Sequence, residues 1–225
     1  MISSLLQSSA SAPFAGAGEL AAVGSAFAWS FGSVFYALAF KSISPVQAAW
    51  FKNAIAGLLL GILSIAFFSG AVPLENVGWL TFSGFLGLGI GDWLYFLAIA
   101  HIGVSRTVII SQAVPAFTAL LAWPLFGETL SAMQICGIAL VIGGGVLAES
   151  RRFTQKRSRN HFDKIGLIAA ITCAALWTIS NLALSKGMVD VTPVTGGAIR
   201  FGAGAFFFAA WFIKDGNLGS NVKFI

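Results

Sequence analysis

The chain has 225 residues, of which 57% are hydrophobic and only 9% charged, and its mean hydropathy is +0.88. A water-facing domain carries about 25% charged residues. Thirteen bases and eight acids cannot coat a soluble surface of this size, which excludes a soluble globular domain. The net charge of +5 does not point to nucleic acid, because six of the bases crowd into residues 151–164 without interleaved aromatics. In a membrane protein such a cluster reads as a cytoplasmic loop.

The first sixteen residues are small and polar, with no lysine or arginine. They lack the basic start of a signal peptide and read as a tail. Seven stretches then have the roughly 20 apolar residues that a spanning helix needs. They cover about 18–39, 47–69, 78–98, 104–126, 131–148, 164–185 and 194–213. The expected fold is all-α, a polytopic membrane helix bundle. Helix breakers mark the connections: Ser44-Pro45, Gly70 with Pro73, Gly103, Gly127 and Thr192-Pro193. Cys136 and Cys173 lie singly in apolar stretches and read as core residues, not as a disulfide or a metal site.

Numbering the loops alternately places Lys41, Arg106, Arg151, Arg152, Lys156, Arg157, Arg159, Lys164, Lys214 and Lys223 on one side and only Lys186 on the other. Lys52 and Arg200 fall within spans. Bases collect on the cytoplasmic side. This puts the loop before residue 164 in the cytoplasm and the N-terminus outside.

An internal repeat is present at an offset of 148. Gly18 falls on Gly166, Ala21-Ala22 on Ala169-Ala170, Ala26 on Ala174, Trp29 on Trp177, Pro45-Val46 on Pro193-Val194, and Lys52 on Arg200, without a gap. The second copy starts after five spans, an odd number, so it enters the membrane the other way up. Inverted repeats of this kind allow two related halves to rock around a midplane site.

Residues 18–52 contain Ala28-Trp29-Ser30-Phe31-Gly32, then Ser44-Pro45-Val46 and Lys52. Further on come Leu94-Tyr95-Phe96-Leu97-Ala98, the run from Gln112 through Pro115 to Leu120, the Pro124-Leu125-Phe126-Gly127-Glu128-Thr129-Leu130 segment, and the Gly-rich stretch from Gly137 to Gly144. Together these resemble the EamA repeat of the drug/metabolite transporter superfamily, over about residues 16–215. The resemblance implies two five-helix repeats, no covalent cofactor, and export or uptake of small metabolites. On this reading the chain divides into an N-terminal tail (1–16), a first repeat (17–149), a basic cytoplasmic loop (150–163) and a partial second repeat (164–225). The second repeat is incomplete: no second Pro…Gly-Glu segment follows, so the expectation is a fragment about three helices short of ten. Similar proteins also commonly keep both termini in the cytoplasm, against the charge count here.

Ionisable residues inside spans are costly and point to function. Lys52 and Asp92 both lie roughly 9 Å deep from one side at 1.5 Å per residue, so they are placed to pair. The pair could bind a zwitterion or a carboxylate, and Asp92 could carry a coupling proton; alternatively Lys52 snorkels to the headgroups. Arg200, the inverted counterpart of Lys52, reads as a base at the opposite mouth. Trp29 and Trp177 are placed to face each other and to form an aromatic wall, or simply to pack. Tyr95, Gln112 and Asn181 are polar, mid-span hydrogen-bonders. Pro115 removes a backbone hydrogen bond in the fourth span and is a candidate hinge. Gly57 with Gly61, and Gly87 with Gly91, read as small-residue ridges for close helix approach, and Glu128 as a cap on the fifth helix.

No Gly-x-x-x-x-Gly-Lys-Ser/Thr, His-Glu-x-x-His or Gly-x-Ser-x-Gly occurs, so neither ATP binding through that cradle nor hydrolase chemistry is indicated. His101 and His161 sit at or beyond span edges and read as loop residues. The expectation is therefore a non-enzymatic secondary transporter of the inner (plasma) membrane, an exporter of small metabolites by alternating access, with no cofactor or metal. Its partners are a small-molecule substrate and the bilayer, not nucleic acid. The rival readings are a partner-dependent or non-functional fragment, with a homodimer as one way to close the bundle, and a membrane-embedded lipid-modifying enzyme.

Overall fold

The computed structural model describes residues 17–40, 42–68, 70–127, 130–153 and 164–215. The N-terminal tail, Lys41, Glu128, Thr129, His161, most of the basic loop and Lys223 lie outside the described residues. Seven long helices make up the described chain: α1 (Ala17–Ala39), α2 (Pro45–Phe67), α3 (Leu74–Ile102), α4 (Val104–Phe126), α5 (Ala132–Phe153), α6 (Lys164–Gly187) and α7 (Pro193–Asp215). Within α1, Leu20–Ala39 is long and apolar enough to cross a membrane, and so are α2, α3, α4 and α6. α5 carries a shorter apolar stretch, Ala132–Gly145. The protein is a multi-pass helical membrane bundle.

The breakers act as local chemistry dictates. Ser44 caps α2: its hydroxyl accepts from the Gln47 amide while Gln47 Oε1 accepts from the Ser44 amide, and Pro45 opens the first turn. Gly103, at φ 82°, ends α3, and Gly127, at φ 69°, ends α4, a conformation that glycine adopts without penalty. The Thr192 hydroxyl accepts from the Thr195 amide and Pro193 starts α7.

α3 is longer than the expected 78–98. Asn76 anchors its start by donating to the carbonyls of Gly187 and Val189 at the end of α6. At the other end the helix runs on to Gly103, which makes His101 a half-buried helical residue and not a loop residue. The centre of α3 is a π-helix, Gly84–Gly91, with four glycines in eight residues. Cys173 is buried as expected, but Cys136 lies on an exposed face of α5. In a bilayer an apolar outward face meets lipid, so an apolar stretch need not be core.

Two antiparallel pairs form the centre. Along α2 and α7, Ser64 bonds Thr195 at 2.7 Å, Gly57 meets Gly202, and Asn53 meets Gly204. Sequence number falls along α7 as it rises along α2, so the helices run antiparallel. The last two contacts bracket Ile55 and Ala203, positions related by the offset of 148. The two helices thus approach closely over a stretch that includes positions related by that offset. Gly57 allows it: a Cβ there would stand 3.1 Å from the Gly202 nitrogen. Gly61 meets nothing within 4 Å, so only one glycine of that pair forms the close approach. α3 runs antiparallel to α6, from Asn76 against Gly187 to His101 against Gly166.

Candidate functional site

Asp92 is fully buried on α3, just after the π-helix, at 1% exposure. It lies ten residues, or about 15 Å at 1.5 Å per residue, from the end of α3. This is deeper than the sequence reading placed it, because α3 extends past residue 98. The Lys52 ammonium on α2 pairs with its Oδ2. Lys52 is 15% exposed, and its Nζ lies 5.9 Å from the Phe96 ring centre and 5.7 Å from that of Phe201. The charge is therefore held among aromatic faces inside the bundle. An ion pair in this setting offsets the cost of burying either group alone.

Arg200 is half-buried on α7 beside Ser180 of α6, seven residues from the start of its helix as Lys52 is from the start of α2. It stands three residues before Ala203, as Lys52 stands three before Ile55. Because the helices are antiparallel, the two bases flank the crossing on opposite sides, each within about 5 Å of it along the axis. The π-helix of α3 lies over this crossing. Asn53 Nδ2 donates to the Leu88 carbonyl at 2.7 Å, and Trp177 Nε1 donates to the Gly87 carbonyl at 3.0 Å. A Cβ on Gly84 would come within 2.7 Å of Arg200 Cα, and one on Gly91 within 2.7 Å of the Trp177 ring. Side chains at either position would push α3 away from the bases and the indole.

Trp29, Tyr95 and Trp177 form one aromatic cluster. Ring centres are 5.5 Å apart for Trp29 with Tyr95, 5.5 Å for Trp29 with Trp177, and 5.0 Å for Tyr95 with Trp177. The Tyr95 hydroxyl shares a 2.9 Å hydrogen bond with Ser33 of α1. Trp29 stays 38% exposed, so the cluster has an open side. Asn181 is half-buried one turn after Trp177, and Ser185 Oγ donates to its backbone carbonyl. Gln112 is exposed and is not brought to this cluster. It sits where α4 breaks into Val104–Ser111 and Ala113–Phe126, three residues before Pro115.

Sequence reasoning missed four groups: Ser33, Asn53, Ser83 and Ser180, all at 1% exposure or less. Asn53 follows Lys52 directly and is polar at mid-span, a signal of the same kind. The serines gave no such signal, since serine is common on any helix. Among the described residues no group of three or more His, Cys, Asp or Glu side chains is placed to hold a metal ion.

The arrangement is thus an ion pair, a second, half-buried base and an aromatic wall, gathered where the α2–α7 and α3–α6 pairs meet. A search of curated proteins finds no match to the chain. A family model, the EamA-like transporter family, matches residues 16–149. That span takes in α1 to α4 and most of α5, including Lys52, Asp92 and the π-helix of α3; the chain belongs to the EamA-like transporter family, a family of membrane transporters and not of enzymes.

Proposed function

We propose that the chain acts as a secondary transporter that exports small metabolites across the plasma membrane by alternating access, with Lys52 and Asp92 as its coupling pair. The observation that carries the reading is the burial of this ion pair beside the α2–α7 crossing. A crossing at repeat-equivalent positions is a pivot about which two halves can rock. Proton arrival at Asp92 would release Lys52, and solute would enter beside Trp29, Tyr95, Trp177 and Asn181. Pro115 and the break at Gln112 give α4 a place to bend. The charge count favours a cytoplasmic basic loop and an outside N-terminus.

Asp92→Asn tests this reading. In vesicles with an imposed pH gradient the variant is expected to insert normally and to lose all pH-dependent solute flux. Unchanged proton-coupled flux would remove the coupling role.

A further inference from the structure

Among the described residues the charges gathered at the crossing sum to one positive: Lys52 and Asp92 form an ion pair, and the half-buried Arg200 guanidinium adds a second base with no carboxylate in salt-bridge contact. Its hydrogen bonding is nearly empty. Nη2 donates to Ser180 Oγ at 3.4 Å, and Nε is buried without a partner among the described residues. Ser180 Oγ gives its own proton to the Ser83 carbonyl at 2.8 Å and accepts from Arg200 only through that long contact. A guanidinium has five donors in a planar fork suited to a carboxylate, and an unsatisfied one inside a bundle is costly.

The neighbourhood supplies the rest of a binding site. Gly87 stands between the base and the aromatic cluster: Trp177 Nε1 donates to its carbonyl, and a Cβ there would run into the Ser180 side chain, with Arg200 Nη2 3.8 Å away. Going outward from Arg200, one meets Ser180 packed against Gly87, then the indole of Trp177, then the partly exposed Trp29. Cationic donors at one end and aromatic faces at the other describe an elongated solute with an anionic head and an apolar body.

We infer that Arg200 binds the carboxylate of the transported solute, whose apolar body lies against Trp177 and Trp29, so that the preferred substrates are apolar monocarboxylates. This rests on the transporter reading above and names the substrate class of the same site. A monoanion neutralises the one spare charge. A zwitterion would leave it in place, and an organic cation would add to it.

The test uses the full chain in lipid nanodiscs, with intrinsic tryptophan fluorescence as the readout. The probes are phenylacetate, phenylalanine and phenethylamine, which share a body and differ in charge. Phenylacetate is expected to bind at least about tenfold more tightly than phenethylamine, with phenylalanine between them. Arg200→Gln is expected to lose about tenfold or more for phenylacetate, in line with a charged hydrogen bond. Arg200→Lys keeps the charge without the fork and is expected to lose less. The charge series on the unmodified chain needs no variant, so it decides the matter even if Arg200→Gln fails to fold. Absence of saturable phenylacetate binding, equal or tighter binding of phenethylamine, or indifference to Arg200→Gln would overturn the assignment. Flux in vesicles separates the two claims. Arg200-dependent binding with no flux keeps the carboxylate site and removes the transporter reading. Flux of phenethylamine without flux of phenylacetate keeps transport and removes the site.

Discussion

Ser83 of α3 and Ser180 of α6 are locked together reciprocally: each hydroxyl donates to the other residue's backbone carbonyl at 2.8 Å, and the two oxygens lie 3.0 Å apart. Both side chains are buried, and the lock sits beside Arg200. It fixes the register of α3 against α6 just before the π-helix begins. Replacing either serine by alanine is expected to lower stability, and a double-mutant cycle should return a coupling of about 1 kcal/mol, within the range for interhelical polar pairs in membranes. Additive single effects in a denaturant titration would show that the lock has no energetic content.

Two glycines make an opposed pair of predictions. At Gly84 a new Cβ would run into the Arg200 backbone, so Gly84→Ala must push α3 off α7. The expected loss is about 1–3 kcal/mol, as for other overpacked sites. Gly61 has open space around it. Gly61→Ala should be neutral or stabilising by up to about 1 kcal/mol through helix propensity. Thermal unfolding in one detergent compares them directly, and equal effects would contradict the packing described.

The ion pair predicts a non-additive pattern. Lys52→Met strands a buried carboxylate, and losses of about 3–5 kcal/mol are usual for such cuts. Combining it with Asp92→Leu removes both charges and should restore most of the stability. Transport should not return with it. A double variant as unstable as the single one would mean that the pair is held for packing alone.

Topology has its own test. A cysteine at Gln155, which lies outside the described residues, is expected to react with an impermeant thiol reagent only from the cytoplasmic side. The background should carry Cys136→Ser, because Cys136 is exposed, whereas Cys173 is buried. Labelling of intact cells at residue 155 would reverse the orientation.

Much of this was legible before folding. Lys52, Asp92 and Arg200 stood out because a charge in an apolar stretch has no cheap explanation. Trp29 and Trp177 stood out because they share a register with Pro45 and Pro193. Gln112 is polar at mid-span by the same logic, but the sequence does not carry which way it faces; it is exposed at the break before Pro115, and only the helix rotation decides that. The depth of Asp92 was misjudged because hydropathy alone does not show that Asn76 and Gly103 set the ends of α3.

The sequence by itself determined the class and the helices, since burial in lipid imposes long apolar stretches and satisfied backbones, and these are properties of composition and spacing. The tertiary structure decided what the charges do. Whether Lys52 reaches Asp92, and whether Arg200 is left without a carboxylate, depends on how α3 is rotated over the α2–α7 crossing. The glycine-rich π-helix lies at this point and lets α3 come close to Arg200 and Trp177, which no side chain at Gly84 or Gly91 would allow.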